Sequence, residues 1–261
     1  MSAVRDIAAL DALAPISLEE LVARAALLTR VDRKYVVPLA QLDDALAGLE
    51  PGTRALEIDG RRAAAYRSVY FDTPELTSFH LAVRGRRRRF KVRTRSYLDT
   101  GECALEVKTR GGRSSTVKDR VAYVAGDERA LTPAGLAHVD ETLHDAGIHG
   151  VAPRRLRPTL VTEYDRATLF VPGDESRATV DTALTWILDD RRLALPGVAI
   201  VETKSGSRPS AVDRLLWSRG HRPATISKYG TGLAALRDDL PGNRWNRVIR
   251  RHFLDGAPSA A

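Results

Sequence analysis

The sequence contains few of the residues on which several common kinds of site depend. Cys103 is the only cysteine among 261 residues, so an internal disulfide and a site of several thiolate ligands are both excluded. The six histidines show no metal-ligand spacing such as His-x-His. A Gly-rich Walker-type element and a Gly-x-Ser-x-Gly element are also missing, which argues against a P-loop nucleotidase and a serine hydrolase.

Long apolar runs are absent as well. No stretch approaches the ~18 consecutive apolar residues that a membrane-spanning helix needs. Residues 1–10 lack the basic-then-apolar pattern of a secretory signal. We therefore expect a cytoplasmic protein without a membrane span, and a single cysteine is compatible with that address.

Positive charge, by contrast, is abundant. The chain has 41 Lys and Arg against 33 Asp and Glu, which gives a formal net charge of +8. Such a surplus indicates an anionic partner: nucleic acid, a phosphate-rich small molecule or a membrane surface. Arg dominates the basic residues, and its planar guanidinium suits bidentate phosphate contacts. An arginine-rich proteome would also give an arginine-rich surface, so composition alone leaves both interpretations open.

Hydrophobic periodicity divides the chain into helices and strands. Ser17 and Glu20 have the spacing of a capping box, and Thr132-Pro133 places a cap and a proline at the start of another helix. Helices are predicted at about 17–28, 39–49, 133–146, 209–219 and 243–253, and strands at about 29–37, 66–71, 87–97, 102–109, 116–124, 160–171, 177–184 and 198–204. Without a clear linker or repeat, we expect one domain over residues 1–261, with a core at about 28–235 and a disordered tail at 255–261.

Charged residues occupy alternate positions on several predicted strands. The pattern acid-x-Lys recurs at Asp32-x-Lys34, Glu106-x-Lys108 and Glu202-x-Lys204. Because residues two apart share one face of a strand, each strand has an ionic face and an apolar face. The ionic faces could simply meet water, as in any half-buried antiparallel sheet. The recurrence favours a second interpretation, in which they line the interior of a closed barrel and require a bound polyanion, since buried cations need counter-ions.

These motifs stand in an order that resembles a known family. They are Arg30-Val31-Asp32-Arg33-Lys34-Tyr35, Ser68-Val69-Tyr70-Phe71-Asp72-Thr73, Lys91-Val92-Arg93-Thr94-Arg95-Ser96-Tyr97, Leu105-Glu106-Val107-Lys108, Tyr164-Asp165-Arg166, Arg177-Ala178-Thr179-Val180-Asp181, Val201-Glu202-Thr203-Lys204 and Ser227-Lys228-Tyr229. The chain resembles the polyphosphate polymerase (VTC) domain of the triphosphate tunnel metalloenzyme, or CYTH-like, superfamily. The resemblance implies an α+β fold: an eight-stranded antiparallel β-barrel that forms a tunnel, with flanking helices.

The resemblance also implies which residues form the site. Catalytic roles fall to Lys34, Lys91, Arg93, Arg95, Lys108, Arg166, Lys204 and Glu202, and further phosphate contacts to Arg30, Arg177, Ser227, Lys228 and Tyr229. The implied cofactor is Mn²⁺ or Mg²⁺, with Glu202 as the first choice of ligand and Glu106 and Asp181 as the second. The wider superfamily opens with Glu-x-Glu-x-Lys, where this chain has Arg30 and Asp32. That departure favours the polymerase branch.

The function implied is transfer of the γ-phosphate of ATP or another triphosphate onto a polyphosphate chain. A triphosphatase of the same fold and a non-catalytic polyphosphate-binding protein are the alternatives. The basic run at residues 84–89 suggests an RNA-binding module, but it lacks the interleaved aromatic residues on which bases stack. We therefore expect no nucleic-acid partner, and the sequence gives no oligomeric state.

Overall fold

A computed structural model of the chain describes residues 7–24, 31–110, 116–253 and 259–260. Within them, eight strands have eight or more residues: β2 (Val31–Pro38), β4 (Ala64–Asp72), β5 (Arg89–Tyr97), β6 (Glu102–Arg110), β7 (Thr116–Tyr123), β8 (Arg157–Val171), β9 (Ser176–Leu188) and β11 (Val198–Ser205). The predicted class, an α+β fold with an antiparallel sheet and flanking helices, is confirmed.

Shorter elements complete the described part of the chain. The helices are α1 (Ala8–Asp11), α2 (Leu18–Arg24), α3 (Leu42–Leu46), α4 (Thr77–Val83), α5 (Pro133–Asp145), α6 (Ala211–Ser218), α7 (Lys228–Leu236) and α8 (Asn246–His252). The short strands are β1 (Ala14–Ile16), β3 (Arg54–Leu56), β10 (Arg191–Leu195) and β12 (Ser259–Ala260). The chain forms two compact units, and β8 and β9 contribute residues to both.

The first unit comprises Met1–Ala65, Tyr164–Leu184 and Ala194–Thr225. Its strand order is β2-β11-β9-β8, and β11 pairs antiparallel with both β2 and β9. One face of these strands is apolar: Tyr35, Val180 and Val201 are fully buried there with Val212 and Leu216 of α6. Alternation therefore leaves Asp32 and Lys34 of β2, and the charged residues of β9 and β11, on the opposite face.

A buried carboxylate fastens α6 to this sheet. Asp213 Oδ1 accepts hydrogen bonds from the Tyr35 hydroxyl at 2.7 Å and the Thr203 hydroxyl at 2.6 Å. The same residue completes a capping box with Ser210 at the start of α6. Burying a carboxylate is tolerated when its oxygens are hydrogen-bonded in this way.

The second unit comprises Tyr66–Glu163, Thr185–Leu193 and Ile226–Ala261. Strands β4, β5, β6 and β7 pair antiparallel in sequence order. Their apolar face holds Val92, Leu105 and Val107 and packs against Val139 and Leu143 of α5. The Thr132 side chain accepts a hydrogen bond from the Gly135 amide and caps α5, as the sequence predicts.

Helix α7 is not among the helices that the sequence predicts. Its first residues, Lys228 and Tyr229, belong to the last of the motifs that carry the family resemblance. Ser227 caps the helix by accepting a hydrogen bond from the Gly230 amide. Residues 25–30, 111–115 and the tail at 255–258 lie outside the described residues, so the predicted end of the first helix and the disorder of the tail stay predictions. The one-domain organisation and the core at 28–235 also stay predictions.

Candidate functional site

In the first unit, the ionic face of the sheet collects charges from four strands. We call it the ion-pair face, and its residues are Asp32 and Lys34 of β2, Arg166 of β8, Arg177 and Asp181 of β9, and Glu202 and Lys204 of β11. The strand register places Glu202 opposite Lys34 and Lys204 opposite Asp32. Arg177 lies opposite Lys204 on the other side of β11. Each charged residue of β11 on this face therefore has an oppositely charged residue opposite it on β2, whereas Arg177 on β9 adds a second base beside Lys204.

Glu202 is the centre of this face. Lys34 Nζ lies 3.2 Å and Lys204 Nζ 3.0 Å from one carboxylate oxygen, Oε1. Burial alone would raise the pKa of Glu202, but Lys204, Lys34 and Arg166 hold that pKa well below its ordinary value. Glu202 is therefore an ionised carboxylate, and its ion pairs with Lys34 and Lys204 are made at Oε1.

Arg166 and Asp181 form a bidentate ion pair beside Glu202. Arg166 Nε lies 2.5 Å from Asp181 Oδ1, and Arg166 Nη2 lies 2.8 Å from Oδ2. Asp181 is fully buried, and despite burial Arg166 has a pKa well above its usual range, chiefly because of Asp181. Since both oxygens of Asp181 bind Arg166, this carboxylate orients a guanidinium.

Lys204 is unusual because it loses its proton easily. Burial lowers its pKa to about 8, an effect that Glu202 opposes and Arg166 reinforces. An ammonium in this position changes charge just above neutral pH. Its protonation will therefore respond to the arrival of a negatively charged ligand.

In the second unit, the ionic face is dominated by cations. We call it the basic face, and it carries Arg89, Lys91, Arg93 and Arg95 of β5, Glu106, Lys108 and Arg110 of β6, and Lys118 and Arg120 of β7. The register sets Lys91 opposite Lys108, and Lys108 opposite Lys118. Three lysines thus form one row across three strands, and like charges that face each other in this way repel.

Glu106 is the carboxylate of the basic face, and it is 2% exposed. Arg93 donates to its Oε2 through Nε at 2.8 Å and Nη2 at 2.6 Å, while Lys118 Nζ lies 2.6 Å from Oε1. Burial would raise the pKa of Glu106, but the charges of Arg93 and Lys118 outweigh it and lower the pKa to about 2. Both oxygens are occupied by cations, so Glu106 positions the bases around it.

Two tyrosines connect the basic face to α7. Arg93 Nη1 donates to the Tyr70 hydroxyl at 3.0 Å, and the Tyr70 ring stacks on that of Tyr229 with centroids 5.1 Å apart. The Tyr229 hydroxyl in turn donates to buried Asp72 at 2.6 Å. Burial raises the pKa of Tyr229 and of Asp72. Tyr229 is 1% exposed, so the structure places it behind the basic face as a support.

The other predicted residues of α7 lie at its first turn. Lys91 Nζ donates to the Ser227 hydroxyl at 2.9 Å, and the Lys228 carbonyl accepts from Trp186 Nε1 at 2.7 Å. Ser227 and Lys91 are thus brought together within the second unit. Arg30, predicted to bind substrate, lies outside the described residues.

Sequence reasoning missed four residues of the basic face, Arg89, Arg110, Lys118 and Arg120, and also Tyr70, which binds Arg93. Lys118 and Arg120 alternate on a strand that was predicted, so a signal for them existed. Asp119 between them is charged as well, however, and a strand with charges on both faces does not show which face is buried. For Tyr70 the sequence contains no such signal.

The carboxylates differ in how well they fit a divalent metal. No group of three or more His, Cys, Asp and Glu able to hold an ion occurs in residues 7–24, 31–110, 116–253 and 259–260. Mg²⁺ commonly binds one or two carboxylates together with substrate phosphates and water, so a single carboxylate with an available oxygen suffices. Glu202 fits best, because its ion pairs are made at Oε1, whereas both oxygens of Glu106 and of Asp181 are held by bases.

The chain belongs to the VTC domain family, whose family model matches residues 29–237. This finding confirms the resemblance inferred from the order of the motifs. No curated protein matches the sequence.

One solved structure supports the fold, and a second is similar to a lesser degree. A candidate adenylate cyclase from Bacillus halodurans is 13% identical, covers 76% of this chain and 94% of its own, and gives a TM-score of 0.50. A candidate adenylyl cyclase from Hippeastrum, described as having a dominant triphosphatase activity, is 13% identical, covers 82% and 98%, and gives a TM-score of 0.49. No helix in the described part of the chain is long and apolar enough to cross a membrane.

Proposed function

We propose that the protein is a metal-dependent phosphotransferase of the polyphosphate polymerase type. In this proposal it moves the γ-phosphate of ATP or another nucleoside triphosphate onto the end of a polyphosphate chain. Membership of the VTC domain family supports it. So does the concentration of Lys and Arg on one face of the sheet in each unit.

The row formed by Lys91, Lys108 and Lys118 carries the proposal. Like charges directly opposite each other on neighbouring strands are destabilising, and Glu106 is bound to Arg93 and Lys118. A ligand with several negative charges would remove this repulsion at once. Triphosphates and polyphosphates fit because their charges follow one another at short intervals along one chain.

Phosphoryl transfer needs mainly positioning and neutralisation of charge. Lys34, Lys204 and Arg166 can hold phosphate oxygens beside Glu202 in the first unit. The attacking group would be the terminal oxygen of the polyphosphate chain, so no protein nucleophile is required. A divalent ion bound at Glu202 would neutralise further negative charge on the phosphates. We place Mn²⁺ or Mg²⁺ there.

The test is incubation of the purified protein with ATP and Mn²⁺, with long-chain polyphosphate and free phosphate measured separately. Glu202→Gln should abolish chain synthesis, by about 100-fold or more, because it removes the ionised oxygen. Glu141→Gln, which removes an exposed carboxylate on α5, is the matched control and should retain full activity.

Each result has a defined meaning. Long chains made by the wild type and the control, and lost in Glu202→Gln, would support polymerase chemistry. Free phosphate without chains would replace it with a triphosphatase. No turnover of any triphosphate with any divalent metal, despite tight binding of polyphosphate, would leave a binding protein and would overturn the enzyme proposal.

A further inference from the structure

Beyond the lysine row, the basic face continues to a second group of cations at the end of the β5–β6 hairpin farthest from its turn. Arg89 and Arg110 are cross-strand partners, and each lies two residues from a member of the lysine row on the same face. Arg89 and Arg110 are both partly buried, and the like charges again stand directly opposite each other.

Arg244, which comes just before α8, adds a third guanidinium to this pair. Its Nη1 lies 3.5 Å from the position that a Cβ on Gly85 would occupy, at the loop that leads into β5. Burial, together with the charges of Arg110 and Arg244, lowers the pKa of Arg89. Arg110 and Arg244, the two charged groups that lower this pKa, are both cations. Three guanidiniums therefore converge, and the positive charges of Arg110 and Arg244 both act on Arg89.

We propose that Arg89, Arg110 and Arg244 form a chain-length subsite, which binds the phosphates of a long polyphosphate beyond those held by the lysine row. This inference rests on the proposed function, because it takes polyphosphate as the ligand. Residues two apart on a strand are separated by about 6.8 Å. Arg89 is thus about 6.8 Å along β5 from Lys91 of the lysine row and about 14 Å from Arg93, so a phosphate chain that contacts all three must extend along the strand.

Polyphosphate fits this group of arginines better than nucleic acid does. Binding of a single-stranded nucleic acid requires exposed aromatic rings on which bases stack. The neighbouring aromatic residues Phe79, Phe90 and Trp245 are 0%, 1% and 3% exposed. Guanidiniums arranged along one strand face can instead bind consecutive phosphate groups in a bidentate manner.

Isothermal titration with tripolyphosphate and with long-chain polyphosphate tests the subsite. Arg244→Gln should weaken binding of the long chain roughly tenfold and leave binding of tripolyphosphate unchanged. Arg129→Gln, which removes an exposed arginine of the same unit, should change neither affinity. Lys108→Gln, in the lysine row, should weaken both ligands.

The outcomes separate the subsite from the proposed function. If the wild type binds tripolyphosphate but Arg244→Gln leaves the affinity for the long chain intact, the subsite is wrong and the proposed function stands. If the wild type binds neither phosphate polymer, both proposals fail. If an RNA oligonucleotide displaces the long chain from the wild type but not from Arg244→Gln, the subsite serves nucleic acid and the proposal is overturned. An unchanged melting temperature of Arg244→Gln would show that the fold is intact.

Discussion

Lys204 Nζ lies 3.0 Å from Oε1 of Glu202, a residue on the same strand and the same face. The pair is formed along the strand by residues two positions apart, and Lys34 reaches the same oxygen from the neighbouring strand. Two ammonium groups on one carboxylate oxygen leave a net positive charge in a buried place. The first prediction follows from that surplus.

Binding of a polyanion should depend on pH through Lys204. Its pKa of about 8 means that the lysine is charged at pH 7 and largely neutral at pH 9, whereas Glu202 stays ionised and Arg166 stays charged. Affinity for tripolyphosphate should therefore fall as pH rises through 8. Binding above pH 8 should also take up a proton, since the ligand restores the ammonium.

Isothermal titration in two buffers of different ionisation enthalpy measures this proton uptake. Lys204→Arg keeps the positive charge at all these pH values, so the variant should bind without proton uptake. Uptake of equal size in the variant would show that another group titrates. For stability the sign is the opposite of that for binding: the folded pKa lies below the unfolded value of 10.5, so this lysine makes the fold more stable as pH rises from about 8 to 10.5.

Removing the charge of Glu106 should destabilise the second unit. Glu106→Gln leaves Arg93, Arg95 and Lys118 without their counter-ion, and breaking a buried pair in this way costs about 3–5 kcal/mol of unfolding free energy. Adding tripolyphosphate should restore part of the loss, because the ligand neutralises the same cations. Thermal melting with and without tripolyphosphate measures both effects. Equal melting temperatures for Glu106→Gln and Glu141→Gln would contradict the prediction.

Glu106 should also control stability in acid. Its folded pKa of about 2 lies below the unfolded value of 4.5. The stability that it contributes is therefore present above pH 4.5 and is lost as pH falls toward 2. The unfolding free energy of the wild type, measured in urea from pH 6 to pH 2, should fall more steeply than that of Glu106→Gln. Parallel curves would mean that other carboxylates account for the acid sensitivity.

Tyr70→Phe should weaken phosphate binding without unfolding the protein. The change removes the hydroxyl that accepts from Arg93 at 3.0 Å and keeps the ring that stacks on Tyr229. Loss of one such hydrogen bond corresponds to about 1 kcal/mol, or roughly a fivefold weaker affinity for tripolyphosphate. Titration gives the affinity, and thermal melting confirms the fold. A change in melting temperature alone would assign Tyr70 to structure only.

Tyr229→Phe should mainly lower the free energy of unfolding and have little effect on phosphate binding. Its hydroxyl donates to Asp72, which is fully buried, so the variant leaves a buried acceptor without this donor. We expect a loss of about 1–3 kcal/mol of unfolding free energy and a small effect on tripolyphosphate affinity. Urea denaturation and titration on one sample compare the two. A large loss of tripolyphosphate affinity with an unchanged free energy of unfolding would instead support the direct binding role of Tyr229 that the family resemblance implies.

Some of this site could be predicted from the sequence and some could not. The alternation of charged and apolar residues on β2, β5, β6 and β11 correctly predicted two-faced strands, because a side-chain period of two is a property of the strand itself. Which oxygens of a carboxylate pair with bases depends on its cross-strand neighbours. Glu106 and Glu202 are preceded and followed by similar residues, yet Glu106 pairs with bases at both oxygens, whereas the ion pairs of Glu202 are made at Oε1.

Helix α7 shows another limit. Gly230 and Gly232 reduce its helical propensity, so its sequence does not predict a helix. The glycines are required by packing: a Cβ on Gly230 would lie 2.2 Å from the Trp245 ring, and one on Gly232 would lie 2.1 Å from the Trp186 ring. Those rings come from distant parts of the sequence, so local propensity alone could not indicate the helix.

The close contact of Trp186 with α7 makes the fluorescence of this tryptophan sensitive to changes at the start of the helix. The Trp186 indole donates to the carbonyl of Lys228, the residue after Ser227, whose hydroxyl accepts from Lys91. An anion that draws Lys91 away from Ser227 would alter the surroundings of this indole and shift its emission. Trp217 bonds to Tyr35 in the other unit. Replacing one tryptophan at a time and measuring the shift in emission wavelength would therefore show which unit a phosphate ligand has reached.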